Sequence, residues 1–181
     1  IRQQAADVEF SGLGGERMIA QGFTSLFSME RLSVMGFIDP LKRLPELLRI
    51  RKSLYQYFLA NRFDLVLGID SPDFNLGLAL KLRREGILTA HYVSPSVWAW
   101  RQGRVKKIAR AVDRMLTLLP FEADFYKQHQ VPVSFVGHPL ADQIPLVVDA
   151  NAARDELALG KGMLLALMPG SRRGEIVQMC R

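Results

Sequence analysis

The stretch that most constrains the fold is a short apolar run that ends in acidic and amide side chains. Residues Leu65–Leu67 are continuously apolar and are bounded by Gly68 and Pro72. A run this short between breakers predicts a strand buried on both faces, as in a parallel sheet. Asp70 follows at its carboxyl end, where open α/β sheets bind their ligands. Asp70 is therefore the first candidate for chemistry.

Two further polar residues follow the same strand, and for them a structural role competes with a functional one. Asp and Asn are favoured in turns and at helix N-caps. The pattern of residues 76–84 predicts a helix, so Asp73 or Asn75 is expected to cap it. Contact of Asn75 with a substrate is the alternative.

Short apolar runs alternate with helical patterns along the chain. Strands are predicted at residues 8–13, 89–93, 115–119, 133–136 and 163–168, and helices at 16–21, 44–59, 101–111, 122–128 and 152–159. Pro40 is expected to end the apolar run that precedes the helix at 44–59. This alternation predicts an α/β fold with a doubly wound parallel sheet. The connector at 142–151 predicts a first domain at 1–145 and the beginning of a second at 146–181.

The amino-acid composition limits the kinds of protein that this chain can be. The 181 residues are 49% hydrophobic, as in globular proteins, and carry a net charge of +6. No apolar run is long enough to span a membrane. The positive charge favours anionic partners: nucleic acid, phosphorylated ligands or an anionic membrane surface. One cysteine excludes an internal disulfide, and three dispersed histidines give no zinc-ligand spacing.

Both tryptophans lie in one loop after the strand predicted at 89–93. Trp98 and Trp100 precede Arg101, an arrangement that predicts a wall for a flat or apolar group with a cation beside it. Phe121 and Phe135 are expected in the core.

Two other segments have alternative interpretations. The turn at 169–175 follows an apolar run and is typical of a phosphate-binding helix start, to which Arg172 or Arg173 would add positive charge. The apolar residues of 32–38, with basic residues around them, predict either a core element or a patch that lies on a membrane surface.

Five motifs occur in order and together resemble the lipid-A-disaccharide synthase family, which are glycosyltransferases of the GT-B type. They are Gly68-Ile-Asp-Ser-Pro-Asp-Phe-Asn75, His91-Tyr-Val-Ser-Pro-Ser-Val-Trp-Ala-Trp-Arg101, Leu119-Pro-Phe-Glu122, Phe135-Val-Gly-His-Pro139 and Met168-Pro-Gly-Ser-Arg172. The resemblance covers nearly the whole chain, and the tryptophan motif is its most specific part.

The resemblance implies a Rossmann-like GT-B fold and a hexosyltransferase activity. Such enzymes join a UDP-2,3-diacylglucosamine donor to a 2,3-diacylglucosamine 1-phosphate acceptor, giving the lipid A disaccharide 1-phosphate and UDP. The reaction inverts the anomeric centre and is thought to need no metal ion or other cofactor. The enzymes act in the cytoplasm, peripherally at the anionic inner membrane, and nucleic acid is not a partner. The segment at 32–38 matches the region thought to meet lipid.

Site residues follow from the same resemblance. Asp70 matches the family's presumed catalytic base, and Arg172 matches an arginine that binds the diphosphate. The remaining substrate-binding candidates are Asn75, Ser94, Trp98, Trp100, Arg101, Glu122 and His138.

The sequence lacks two segments of the family, and two other classes of protein are alternatives to this interpretation. The family's first strand with its glycine-rich turn, and the donor-binding half after Arg181, are absent from the sequence, so we expect an internal fragment that is inactive alone. UDP-sugar 2-epimerases share the architecture but lack the tryptophan motif. A nucleic-acid-binding module would use the positive charge with Trp98 and Trp100 as stacking platforms, although the aromatic residues are confined to one loop.

Overall fold

The computed structural model describes residues 7–29, 38–170, 176, 177 and 179, with side chains for all of these except residues 38–43. The chain divides into two compact units, Ile1–His138 and Pro139–Arg181. The predicted domains at 1–145 and 146–181 stay a prediction.

The first unit alternates strands and helices, as its apolar pattern predicts. Its elements are β1 (Ser11–Gly12), α1 (Glu16–Ile19), β2 (Thr24–Ser25), α2 (Ile38–Ala60), β3 (Leu65–Ile69), α3 (Pro72–Arg84), β4 (Leu88–Tyr92), a 3-10 turn (Gln102–Arg104), α4 (Val105–Ala111), β5 (Arg114–Thr117), α5 (Pro120–Gln128) and β6 (Val133–Phe135).

Four of these strands form one parallel sheet in the order β3-β4-β5-β6, and β1 pairs with β2 in a separate two-stranded parallel sheet. Each strand of the larger sheet is joined to its neighbour by one helix. The predicted α/β class with parallel sheets flanked by helices is confirmed. Because all four strands run the same way, the loops that follow them meet at one edge, which we call the carboxyl edge.

The main core lies between this sheet and its three crossover helices. Met115 of β5 is fully buried among Leu76 of α3, Ile108 of α4 and Tyr126 of α5. Successive crossovers in one direction along a sheet place their helices on the same face when each is right-handed. Thr89, His91 and Thr117 share this helix-covered face and are also buried.

The prediction that the apolar run of β3 is buried on both faces is wrong, because the opposite face of the sheet is exposed. Leu65 is 52% exposed, Leu67 38% and Ile69 46%, and Leu88 of β4 is exposed beside them. The apolar run was predicted to be buried on both faces, but no described helix covers this side because α3, α4 and α5 all lie on the other. We call these residues the open face.

Helix α2 forms a second core together with α3. Its residues Ile50, Leu54 and Phe58 pack with Leu78 and Leu82 of α3. The prediction that Pro40 ends the preceding segment is wrong, since α2 begins at Ile38 and runs through Pro40. A proline in the first turn is tolerated because the backbone N–H groups there have no intrahelical partner.

Between residues 139 and 170, the second unit has a 3-10 turn, Pro139–Asp142, and a helix, α6 (Ala150–Glu156). The carboxylate of Asp149 caps α6 by accepting hydrogen bonds from the backbone N–H groups of Asn151 and Ala152, at 2.9 and 3.1 Å. The strand predicted at 163–168 is not formed, and Met163, Leu165 and Leu167 are largely exposed. A single extended segment gains no ladder hydrogen bonds unless a second strand pairs with it.

The edge opposite the carboxyl edge is fixed by a partly buried polar network. The Asp113 carboxylate accepts hydrogen bonds from Arg83 and from both the backbone and the hydroxyl of Thr89. Burial acts to raise the pKa of Asp113, but these donors outweigh it and hold the pKa below its usual value.

Among the described residues, no helix has both the length and the apolarity needed to cross a membrane.

Gly68 should be intolerant of any side chain. A Cβ atom there would lie 2.9 Å from Nδ1 of His91 and 3.0 Å from Cβ of Asn75, neither of which can move freely. We expect Gly68→Ala to lower the free energy of unfolding by about 1–3 kcal/mol, as overpacking does. Urea denaturation would measure this difference in the free energy of unfolding. Gly103→Ala is the matched control, because no atom lies within 4 Å of its Cβ position. Equal stability of the two variants would contradict this packing.

The burial of His91 should make stability fall on mild acidification. Burial lowers the pKa of this imidazole, although the nearby Asp70 charge acts in the opposite direction. The unfolded chain therefore binds a proton near pH 6.5 that the folded chain binds only at lower pH, so stability is lost as pH falls below 6.5. We expect the free energy of unfolding to depend less on pH between 7 and 5 in His91→Gln than in the wild type. Identical slopes in urea titrations would refute this.

Candidate functional site

The carboxyl edge brings together most of the residues predicted to act on a substrate. Asp70 follows β3, Ser94 and the tryptophan loop follow β4, Glu122 follows β5, and His138 follows β6. The parallel pairing of the strands accounts for this placement. Arg172 lies outside the described residues, as do residues 32–37 of the predicted lipid-contacting segment.

The turn after β3 holds two consecutive residues in a strained conformation. Asp70 has φ +50° and Ser71 has φ +42°, in the left-handed region that non-glycine residues rarely occupy. The backbone N–H of Asp70 donates to the carbonyl of Tyr92 at 2.9 Å, which ties the turn to β4. Such strain costs about 1–3 kcal/mol per residue and is concentrated at functional sites. The Asp70 side chain is exposed.

Asn75 holds this turn in place. Its Nδ2 group donates to the backbone carbonyls of Ile69 at 3.2 Å and Asp70 at 2.7 Å. The expectation that Asn75 caps α3 is wrong, because its amide binds carbonyl oxygens ahead of the helix instead of accepting from N–H groups within it. Its side chain thereby fixes the direction in which Asp70 leaves the strand.

Asp73 also differs from the expected cap. It lies in the first turn of α3, where a negative charge is favoured, and no side-chain cap hydrogen bond is formed at that helix start. The Asp73 carboxylate instead makes an ion pair with the guanidinium of Arg104. This pair joins the start of α3 to the end of the tryptophan loop.

The tryptophan loop contains two different aromatic contacts. The ring of Trp98 meets that of Phe121 edge to face, with centroids 4.9 Å apart at 84°. Trp100 is 58% exposed, and the guanidinium of Arg101 lies 4.4 Å from the centroid of its ring. Arg101 itself has φ +56°. The loop thus presents an apolar pair and a cation-bearing ring at the same edge of the sheet.

The prediction that Phe121 lies in the core is wrong. Phe121 was expected there together with Phe135, but both are about half exposed. Phe121 is the second residue of α5, so it projects from the carboxyl edge. Its position directly after Pro120, at the start of a predicted helix, could have indicated this. A residue in the first turn of such a helix lies next to the loops at the edge of the sheet.

Ser94 and Glu122 have structural partners at this edge. The hydroxyl oxygen of Ser94 lies 3.0 Å from that of Tyr126, a fully buried residue whose pKa burial raises to about 12. The carboxylate of Glu122 accepts a hydrogen bond from the backbone N–H of Leu119 at 3.2 Å. Glu122 is only 6% exposed and lies in the first turn of α5, where its charge is favoured. Substrate contact by either residue stays a prediction.

His91 is a buried residue near the site that was not among the candidates predicted from the sequence. It lies on β4 opposite Gly68 of β3, is 1% exposed, and neither ring nitrogen makes a hydrogen bond within the described residues. A Cβ atom at Gly68 would lie 2.9 Å from the Nδ1 atom of His91, so the ring packs against the strand just ahead of Asp70. A histidine near the end of an apolar strand was the only available signal.

Val93 adds to the strain at the carboxyl edge. This β-branched residue has φ +74°, a clear outlier, and its N–H donates to the carbonyl of Leu116 at 3.2 Å. Among the described residues, no group of three or more His, Cys, Asp or Glu side chains could hold a metal ion. The chemical groups at the edge are therefore an exposed carboxylate, aromatic rings and guanidinium groups on a strained, tightly hydrogen-bonded frame.

Comparisons with known proteins agree on one family. A family profile described as lipid-A-disaccharide synthetase matches residues 1–181. The chain is 56% identical to the lipid-A-disaccharide synthase of Saccharophagus degradans, covering 99% of this chain and 47% of that protein. It is 61% identical to that of Hahella chejuensis, over 94% and 43%, and 59% identical to that of Pseudomonas aeruginosa, over 97% and 47%.

The chain spans less than half the length of these curated relatives. The family profile nevertheless matches it from the first residue to the last, and the relatives align with nearly all of it. The chain therefore belongs to the lipid-A-disaccharide synthase family.

Proposed function

We propose that the full-length protein carrying this sequence is an inverting hexosyltransferase. It joins UDP-2,3-diacylglucosamine to 2,3-diacylglucosamine 1-phosphate, forming a β-1,6-linked lipid A disaccharide 1-phosphate and releasing UDP. The most direct support is the family match along all 181 residues. The exposed Asp70 carboxylate on a strained turn, beside an aromatic loop, supports the same chemistry.

Asp70 is the proposed general base. Inverting transfer requires removal of a proton from the attacking sugar hydroxyl as its oxygen bonds to the anomeric carbon and the bond to UDP breaks. A positioned carboxylate typically accelerates such a step by about 10²–10⁴-fold. Asn75 is the proposed positioning residue, because it holds both carbonyls of the turn that aims Asp70.

Charge on the leaving diphosphate is the second requirement of the reaction. The transition state approaches an oxocarbenium ion while negative charge builds on UDP, so fixed cations stabilise it. Arg172 is proposed for this role, with transfer independent of a metal ion. Trp98, Trp100, Arg101 and His138 are proposed to line the acceptor side, where the aromatic rings offer apolar surface and Arg101 a positive charge.

The proposed setting is the cytoplasmic side of the inner membrane, with the protein bound peripherally. Both substrates carry acyl chains, and the net charge of +6 favours an anionic surface. We further propose that the 181-residue chain alone does not form the disaccharide. Its relatives are about twice as long, and its open face leaves apolar strand residues in solvent.

The activity is tested by incubating the full-length protein with both acylated substrates in detergent micelles containing a chelator. Mass spectrometry should detect the disaccharide 1-phosphate together with one equivalent of UDP. A folded protein that gives no disaccharide would refute the proposal. Epimerised UDP-sugar as the product would favour the related epimerase activity instead.

Asp70→Asn should remove most of the activity without unfolding the protein. The amide keeps the shape of the carboxylate but cannot take the proton, so we expect kcat to fall by about 10²–10⁴-fold. Asp124→Asn is the matched control, because Asp124 is exposed and its carboxylate pairs with Lys127 on the same helix. Equal kcat values in the two variants, with far-ultraviolet circular dichroism unchanged, would exclude Asp70 as the base.

Asn75→Asp should disturb the turn that positions Asp70. The substitution replaces the Nδ2 donor by an oxygen facing two carbonyl oxygens, so both hydrogen bonds are lost and the charge is repelled. We expect the free energy of unfolding to fall by about 1–3 kcal/mol and kcat to fall more than KM rises. The control is Asn151→Asp on the exposed surface of α6. A wild-type kcat in Asn75→Asp would contradict the positioning role.

A further inference from the structure

One long segment of the chain has positive charge and no negative charge. Residues 86–112 contain no Asp or Glu. The same segment contains five cationic residues within ten positions, and these are Arg101, Arg104, Lys106, Lys107 and Arg110.

Helix α4 carries three of these cations on the side that faces away from the core. Val105, Ile108 and Ala111 are buried against the sheet, while Lys106, Lys107 and Arg110 are exposed. Lys106 and Arg110 are four residues apart, so they lie one above the other on the helix surface, with Lys107 beside them. We call these three residues the α4 cations.

The α4 cations have no acidic partner among the residues that the structure describes. Three other cations of this unit are paired, in Arg83–Asp113, Arg104–Asp73 and Lys127–Asp124. A solvated helix surface usually mixes both signs of charge. The α4 cations therefore leave a local positive charge that is available to an external anion.

Trp100 lies just ahead of this helix. More than half of its surface is exposed, and the Arg101 guanidinium covers one side of its ring. Indole rings and the long stems of Arg and Lys suit the boundary between headgroups and acyl chains, because each combines an apolar body with a polar tip. An exposed tryptophan next to an uncompensated basic helix is typical of a segment that contacts a bilayer.

We propose that the α4 cations and Trp100 form a surface that contacts an anionic phospholipid bilayer. This surface does not include residues 32–38 and uses charge more than apolar area. It extends the membrane location in the proposed function by naming the contact, and it requires no catalysis by the protein.

A nucleic acid strand fits these residues less well. Single-stranded nucleic acids need aromatic faces on which successive bases stack. Trp98 meets Phe121 edge to face, and Arg101 already occupies one side of the Trp100 ring. The loop therefore does not offer consecutive free aromatic faces.

The test is binding of the full-length protein to vesicles of phosphatidylcholine with about one third phosphatidylglycerol, measured by co-sedimentation. The variant replaces Lys106, Lys107 and Arg110 by Gln. Each basic residue near an anionic surface contributes about fivefold to binding, so we expect a loss of about 100-fold. The control replaces Arg84, Lys127 and Lys161 by Gln; these are exposed residues with the same total charge. It should weaken binding much less.

Activity in neutral detergent micelles supplies an independent readout. The α4 variant should keep wild-type activity there and lose activity on anionic vesicles. Vesicle binding without any disaccharide product would refute the proposed function but keep this surface. Equal losses in the two triple variants, or equal wild-type binding to pure phosphatidylcholine vesicles, would overturn the surface. Binding to single-stranded DNA that is lost in the α4 variant, with vesicle binding unchanged, would also overturn it.

Discussion

Parallel pairing of β3, β4, β5 and β6 is the constraint on which the rest of this structure depends. Because the strands run in one direction, every loop that follows a strand reaches the same edge, and residues distant in sequence become neighbours. The same pairing sends all three crossover helices to one face, which buries Met115 and leaves the open face in solvent. Site and exposed apolar surface are thus two consequences of one topology.

The carboxyl edge stores backbone strain where the chemistry is proposed. Asp70, Ser71 and Val93 all have positive φ, and each such residue costs about 1–3 kcal/mol. Hydrogen bonds from Asn75 and between neighbouring strands hold these conformations. These contacts hold the strained turn so that the Asp70 carboxylate is oriented before substrate binds. Less free energy is then needed to order the carboxylate during the reaction.

Much of this arrangement was predictable from the sequence. Short apolar runs and turn residues located β3 to β6, and Asp70 at the end of the first run was correctly placed at the edge. The open face was not predictable, because an apolar run looks the same whether one or both of its faces are covered. The strand expected at 163–168 failed because pairing is a long-range property that local pattern does not contain. Positive φ at Val93 opposes the preference of a β-branched residue, and the Trp98–Phe121 contact joins residues from different loops.

Hydrogen–deuterium exchange of the full-length protein, with and without a 2,3-diacylglucosamine 1-phosphate acceptor, tests most directly whether the carboxyl edge is the acceptor site. Acceptor should slow exchange in the segments after β3, β4 and β5, at residues 70–75, 93–104 and 118–122. Exchange at the opposite edge, around Thr89 and Asp113, should not change, because it faces away from these loops. Protection confined to that opposite edge, with none at 70–75, would contradict the account.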